Sequence, residues 1–149
     1  MARIALVSDT HGLLRPELPR ALRGVERILH MGDVGNPEVL TGLAAIAPVT
    51  AVRGNVDHGA WARTLRATQQ VDAFGASLYL LHNLADLEID PAAASVAMVL
   101  YGHTHVPKEE TRGGVRYVNP GSIGPRRFNL PVSFAFLGDD LSVEFVTLV

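Results

Sequence analysis

Ile4-Ala5-Leu6-Val7-Ser8-Asp9-Thr10-His11-Gly12 decides how the rest of the chain is read. Its apolar run, Ile4 to Val7, suits a short strand buried on both faces. The run stops at a hydroxyl, a carboxylate and an imidazole, groups that a core does not accept without partners. The same pattern returns further along. Arg27 to Met31 runs into Gly32-Asp33, and Val49 to Val52 runs into Arg53-Gly54-Asn55-Val56-Asp57. Ser77 to Leu81 ends in His82-Asn83, and Ala97 to Tyr101 ends in Gly102-His103-Thr104-His105. In α/β sheets, ligands bind at the carboxyl ends of the strands. The order of these runs therefore predicts that their polar ends converge on one crevice.

Between the first three strands the periodicity changes. Leu18 and Leu22 stand four apart within Pro16 to Arg23, and Gly24 follows as a stop, which predicts a helix. Asn36-Pro37-Glu38 reads as an N-cap, an N1 proline and a first-turn acid. The helix it opens would bury Val39, Leu43 and Ile46 and end before Pro48. Strand–helix–strand–helix–strand implies parallel strands with right-handed crossovers. Asp90-Pro91 predicts a brief helix between the later strands. After His105 the pattern is mostly strand: Lys108 to Arg112 and Val115 to Val118 around Gly113-Gly114, then Val132 to Leu137 and Leu141 to Leu148 around Gly138-Asp139-Asp140. An α/β half followed by a β-rich half predicts two sheets packed face to face with helices outside.

The bulk numbers fit one domain over residues 1–149. The chain is 48% apolar and 19% charged, a globular balance, with a formal net charge of -2. Basic residues are scattered, so no extended nucleic-acid surface is expected. The absence of cysteine excludes disulfides, thiolate metal sites and cysteine nucleophiles. It is compatible with a reducing cytosol, and a cytoplasmic location is expected. The first apolar run is too short for a signal peptide, and no stretch is long enough for a membrane span.

Each polar strand end is ordinary alone. Asp-x-His is usually a turn, Gly-Asp an Asx-turn, and a single strand-end histidine a satisfied core residue. His-x-His says more, because two imidazoles two apart on an extended segment face the same side. The joint occurrence of Asp9, His11, Asp33, Asn55, His82, His103 and His105 points to metal. Imidazole, carboxylate and amide oxygen without sulfur suit Mn, Fe, Co, Ni or Zn. The set is too large for one ordinary catalytic ion and suits two if a carboxylate bridges. Asp9 and Asp33 would cancel only part of the ions' charge, leaving a site that attracts phosphate. Two metals roughly 3.5–4 Å apart clamp a phosphoryl group and generate hydroxide near neutral pH.

At these residues the sequence resembles the calcineurin-like metallophosphoesterase superfamily. It looks closest to the small phosphodiesterases of the YfcE type, a branch that also includes the Vps29 scaffold. The matching residues are Asp9-x-His11, Gly32-Asp33, Gly54-Asn55-x-Asp57, His82, Gly102-His103-Thr104-His105 and Asn119-Pro120-Gly121-Ser122. The resemblance implies a four-layer α/β/β/α sandwich with two mixed β-sheets. It implies that Asp9, His11 and His105 hold one divalent ion and Asn55, His82 and His103 the other, with Asp33 bridging. Manganese is the first choice of metal, with nickel, iron, cobalt or zinc as alternatives. Asp33, Asn55 and His103 would surround the metal-held hydroxide that attacks phosphorus in line, without a phosphoenzyme.

Two positions depart from the family. Many of its enzymes carry a histidine after the asparagine that protonates the leaving oxygen. Here that residue is Val56, and loss of one general acid costs about 10²–10⁴ in rate with poor leaving groups. His58 is the candidate substitute, with water as the alternative. The family's glycine after the ligand histidine is replaced by Asn83. Asp57 is expected either to orient a ligand from behind or to cap the loop. Arg126 and Arg127 are candidates for the substrate phosphate, because guanidinium matches its oxygens, and Asn55 is a candidate for the same role. His30 is expected in the core, and Trp61 and Arg63 are candidates to line the crevice. The leading function is hydrolysis of phosphodiesters or activated phosphomonoesters. The alternatives are a non-catalytic Vps29-like scaffold, and a nucleotide phosphatase or nuclease. The partner expected is a small phosphoester, without a membrane, and a homo-oligomer is compatible with open sheet edges.

Overall fold

The computed structural model describes residues 2–148. It contains two mixed, five-stranded sheets packed face to face, as expected. The first is built from β1 (Arg3–Val7), β2 (Arg27–His30), β3 (Val49–Ala51), β9 (Ser133–Gly138) and β10 (Val143–Thr147), in the order β10-β9-β1-β2-β3. β1, β2 and β3 run parallel, while β9 returns antiparallel to β1. The second is built from β4 (Thr68–Ala73), β5 (Ala76–Leu81), β6 (Met98–Leu100), β7 (Lys108–Arg112) and β8 (Val115–Asn119), in the order β4-β5-β6-β8-β7. Its centre, β5, β6 and β8, is also parallel.

Alternation along the strands divides the core. Leu6, Leu29, Leu78, Leu80, Met98 and Leu100 meet between the sheets. Ala5, Val7, Ile28, Phe134 and Phe136 face outward from the first sheet. There they are covered by α1 (Leu18–Ala21) and α2 (Pro37–Ala44). Leu18, Leu22 and Leu43 lose all their exposure in this layer. The Asn36 side chain accepts from the Val39 N–H at 3.1 Å, so the N-cap expectation holds. α1 is one turn rather than the two expected over Pro16 to Arg23, and Ile46 packs on the core from beyond the end of α2.

The outer face of the second sheet is covered differently. Tyr79, Leu81, Val99, Tyr101 and Tyr117 point there, and only a 3-10 turn (Leu84–Asp86) and irregular chain to Val96 lie over them. The helix expected from Asp90-Pro91 does not form. Val96 N–H closes back on the Pro91 carbonyl, and Ser95 takes φ 60°. Ala92 to Ser95 are all exposed, so this stretch has no apolar stripe to hold a helix down. β4 is absent from the sequence expectation. It is a polar edge strand, Thr-Gln-Gln-Val-Asp-Ala, in which only Val71 is buried. Among the described residues, no helix is long and apolar enough to cross a membrane.

Candidate metal centre

Because β1, β2, β3, β5 and β6 are parallel within their sheets, their carboxyl ends share one rim of the sandwich. Asp9 and His11 leave β1, Asp33 follows β2, Asn55 follows β3, His82 follows β5, and His103 and His105 follow β6. The ligand atoms of Asp9, His11 and His105 lie within 4.8 Å of one another, as do those of Asp33, His82 and His103. The groups adjoin. Asp33 Oδ2 is 3.1 Å from His82 Nε2 and 3.5 Å from His11 Nε2. Asp9 Oδ1 is 3.3 Å from His105 Nε2, 3.6 Å from His11 Nε2 and 3.9 Å from His82 Nε2.

Each buried carboxylate divides its work between its two oxygens. Asp9 Oδ2 accepts from Ser8 Oγ at 2.6 Å and from the His103 N–H at 3.1 Å. Asp9 Oδ1 is buried and has no hydrogen-bond partner. Asp33 Oδ1 accepts from the Val56 N–H at 3.0 Å, leaving Oδ2 toward the histidines. His82 Nδ1 lies 2.7 Å from the Met31 carbonyl, so Nδ1 donates and Nε2 is left with its lone pair directed inward. That Nε2 is likewise buried without a partner. Orphaned buried acceptors on converging side chains are what a cation would satisfy, and the oxygen and nitrogen donors fit divalent transition metals.

Electrostatics favour the same occupant. Burial alone would raise the Asp9 pKa, but His105, His11, His82 and Ser8 outweigh it and hold the carboxyl well below the usual range. Burial also opposes ionisation of Asp33, yet His82 and the Val56 N–H bring its pKa down. Asp33, Asp9 and the Met31 carbonyl raise His82 against its burial, which shows that the potential at Nε2 is negative and favours a positive charge there, a proton or a metal ion in its place. Both carboxylates are therefore anionic at neutral pH.

The backbone here is bent hard. Asp9, His11, Asp33, His103 and His105 take φ values of 57°, 47°, 56°, 74° and 64°. Left-handed backbone at non-glycine residues is unfavourable and gathers where surrounding structure enforces it. Two glycines permit the crowding. A Cβ on Gly54 would stand 2.1 Å from Asp33 Oδ1, and one on Gly102 would stand 2.1 Å from Ser8 Oγ.

Other residues of the sequence reading fall into place unevenly. Asp57 is buried and accepts from the N–H groups of Gly54, Val34 and Gly35 at 2.8, 3.2 and 2.9 Å. It ties the loop after β3 to the loop after β2. Asn55 is exposed beside His82, at the mouth of a neighbouring cavity. His58, Arg126 and Arg127 are exposed, and Arg126 Nε turns to the Leu130 carbonyl of its own loop at 3.3 Å. Trp61 packs on the helix-side core instead of lining the crevice. Sequence reasoning did not single out Ser8 or Thr10, and it read Asn119-Pro120-Gly121-Ser122 only as shaping a turn beside the metals. Asn119 Nδ2 donates to the Gly102 carbonyl and to Thr104 Oγ1, both at 3.0 Å, and so fixes the His103–His105 turn. Thr10 Oγ1 donates to the Val34 carbonyl at 2.8 Å and accepts from His30 Nε2 at 3.0 Å. The usable signal was their position: polar side chains flanking a strand-end carboxylate need partners of their own.

Comparison with known proteins completes the case. Residues 2–139 match the calcineurin-like phosphoesterase superfamily domain. The Escherichia coli phosphodiesterase YfcE is 32% identical, with 95% of this chain and 90% of that protein covered. A probable metallophosphoesterase of Methanothermobacter thermautotrophicus is 33% identical, with 80% and 76% covered. Among solved structures, Vps29 of Entamoeba histolytica complexed with zinc superposes with a TM-score of 0.80 at 25% identity, covering 99% of this chain and 93% of that one. Escherichia coli YfcE superposes with a TM-score of 0.69 at 25% identity, covering 99% and 100%. With a family match across most of its length and two groups of side chains that could hold metal ions, the chain belongs to the calcineurin-like phosphoesterase superfamily and is a metal-dependent phosphoester hydrolase.

Proposed function

We propose that this is a single-domain phosphodiesterase in which Asp9, His11 and His105 hold one divalent ion. Asn55, His82 and His103 hold the second, and Asp33 is shared. The observation that carries this reading is the position of Asp33 Oδ2, within 3.5 Å of a histidine nitrogen from each group. Two such ions supply Lewis-acid charge for the phosphoryl oxygens and an acidified water as nucleophile.

The chain supplies the rest. Ser8 and the His103 N–H fix Asp9, and the Val56 N–H fixes Asp33, so both carboxylates keep one oxygen free in a set direction. Asn55 is exposed and adjoins His82, and its amide is assigned to a phosphoryl oxygen as well as to an ion. Val56 is 38% exposed and carries no proton to give, so protonation of the leaving oxygen falls to His58 or water. Arg126 and Arg127 are assigned to long-range attraction of the anionic substrate. Esters with good leaving groups need least acid help, and the 32% identity to a phosphodiesterase supports a diesterase over a monoesterase. The proposal takes manganese as the native metal and the cytoplasm as its setting.

Hydrolysis of bis(p-nitrophenyl) phosphate by metal-stripped protein, with and without Mn²⁺, tests this beside an Asp33→Ala variant. Turnover is expected to appear with Mn²⁺ and to fall at least about a hundredfold in the variant. Across a series of diesters the rate is expected to drop steeply as the leaving-group pKa rises. Folded protein that binds Mn²⁺, Ni²⁺, Co²⁺, Fe²⁺ or Zn²⁺ without turnover would instead favour a scaffold.

A further inference from the structure

The thin cover of the second sheet leaves a cavity of about 520 Å³ that opens onto the candidate metal centre. Asn55 and His82 line it on the side of that centre. Its floor is the outward side of β5, Tyr79 and buried Leu81, continued by half-buried Ile89. Its rim carries the exposed carboxylates of Asp86 and Glu88, faced by the single cation Arg53. Arg53 is partly engaged, because its Nη1 donates to the Leu65 carbonyl at 3.3 Å.

We propose that this cavity seats the organic arm of the substrate and that the arm is a nucleoside; the proposal rests on the phosphodiesterase reading above. The size falls within the range of small-molecule sites. Tyr79 and His82 stand three residues apart on one extended stretch, roughly 10 Å along it, which is about the length of a nucleoside. A phosphorus atom held among the histidines thus places its substituent over Leu81 and Tyr79. An aromatic ring beside aliphatic side chains receives a flat base by stacking. Acidic oxygens at the rim accept hydrogen bonds from sugar hydroxyls or exocyclic amines. The same two carboxylates, against one cation, repel an arm that bears further phosphate. Tyr79 and Leu81 therefore select the arm, and Asp86 and Glu88 exclude polyphosphorylated ones.

Two Mn²⁺-dependent assays test this with one leaving group. Thymidine 5′-(p-nitrophenyl phosphate) and methyl p-nitrophenyl phosphate share the reacting centre and differ only in the arm. The thymidine ester is expected to have a kcat/KM at least about tenfold higher, and Tyr79→Ala is expected to bring the ratio to within about twofold. Glu88→Lys, at an exposed position, serves as the second variant. It is expected to raise, about fivefold or more, the kcat/KM of the 3′-phosphorylated thymidine ester relative to the ester that lacks the 3′-phosphate. Amide chemical shifts of the metal-free protein, titrated with thymidine, give a readout independent of turnover. Shifts are expected at Tyr79, Leu81 and Asn83. Equal kcat/KM for the two esters in the wild type, a ratio unchanged in folded Tyr79→Ala, or shifts confined to the opposite pole around Arg3 and Phe136 would each overturn the proposal. Loss of turnover on both esters with the thymidine shifts still at Tyr79 would sink the diesterase reading and leave the nucleoside pocket standing.

Discussion

The two sheets bury their inner faces against each other and treat their outer faces in opposite ways. The first is sealed: α1 and α2 remove Leu18, Leu22 and Leu43 from solvent, and even the polar His30 is fully buried beneath that layer. The second is covered by one 3-10 turn and irregular chain, and Tyr79, Leu84 and Ile89 remain partly exposed. Both sheets send parallel strands to the same rim, so this asymmetry does not arise from the metal centre. Apolar burial under helices stabilises the fold. A sheet face left half-covered beside a reactive centre is space for a ligand, and its openness costs stability that the sealed half supplies.

The contrast predicts unequal responses to truncation. Leu43→Ala removes a fully buried side chain from beneath α2 and is expected to cost about 2–5 kcal/mol in urea unfolding. Leu84→Ala, in the thin layer, is expected to cost about 1 kcal/mol. Equal losses would break the comparison.

A second probe reads the sealed face through pH. Burial of His30 outweighs the nearby carboxylates and holds its pKa down at about 4, against an ordinary 6.5. Between those values the unfolded chain binds the proton that the folded chain refuses, so stability falls as pH drops from 6.5 toward 4. The full difference corresponds to about 3 kcal/mol. His30→Gln, followed by urea midpoints at pH 7 and pH 4.5, is expected to flatten that slope. An effect as small as that of Leu84→Ala is set at the start of α2. Asn36→Ala removes the acceptor for the Val39 N–H and is expected to lower stability by about 1 kcal/mol, with turnover unaltered.

The sealed half was also the more legible in sequence. β1, β2 and β3 announce themselves as apolar runs, and Asn36-Pro37-Glu38 marks the start of α2 with three residues that each have one physical reason to be there. The other half concealed its two least regular parts. β4 has one buried side chain and takes its identity from pairing with β5, a tertiary cause that local pattern does not carry. Asp90-Pro91 followed by three alanines satisfies every local rule for a helix and still forms turns, because nothing apolar recurs along it. The polar strand ends were legible as a group, and the structure brings Asp9, His11, Asp33, His82, His103 and His105 within reach of one another. Support behind them was legible only in outline, as a loop cap at Asp57 and a turn at Asn119; the spacing did not contain the hydroxyl on Asp9, the particular carbonyl and hydroxyl that Asn119 holds, or the reach of Asp57 into a second loop. The Asn119 and Asp57 contacts reach across 15 to 23 positions, and the His103 N–H reaches Asp9 across 94.

The left-handed backbone at five of the donor residues has a consequence for the life of the protein. A denatured chain rarely visits that conformation at one such residue, and far more rarely at five together. The complete donor set is thus a property of the native fold, and metal taken up under the proposed scheme discriminates strongly against the unfolded chain. Free ion at a hundred times its dissociation constant then adds about 2.7 kcal/mol to the native state. Under that scheme metal supply would set resistance to proteolysis of the unfolded chain as well as the rate of turnover.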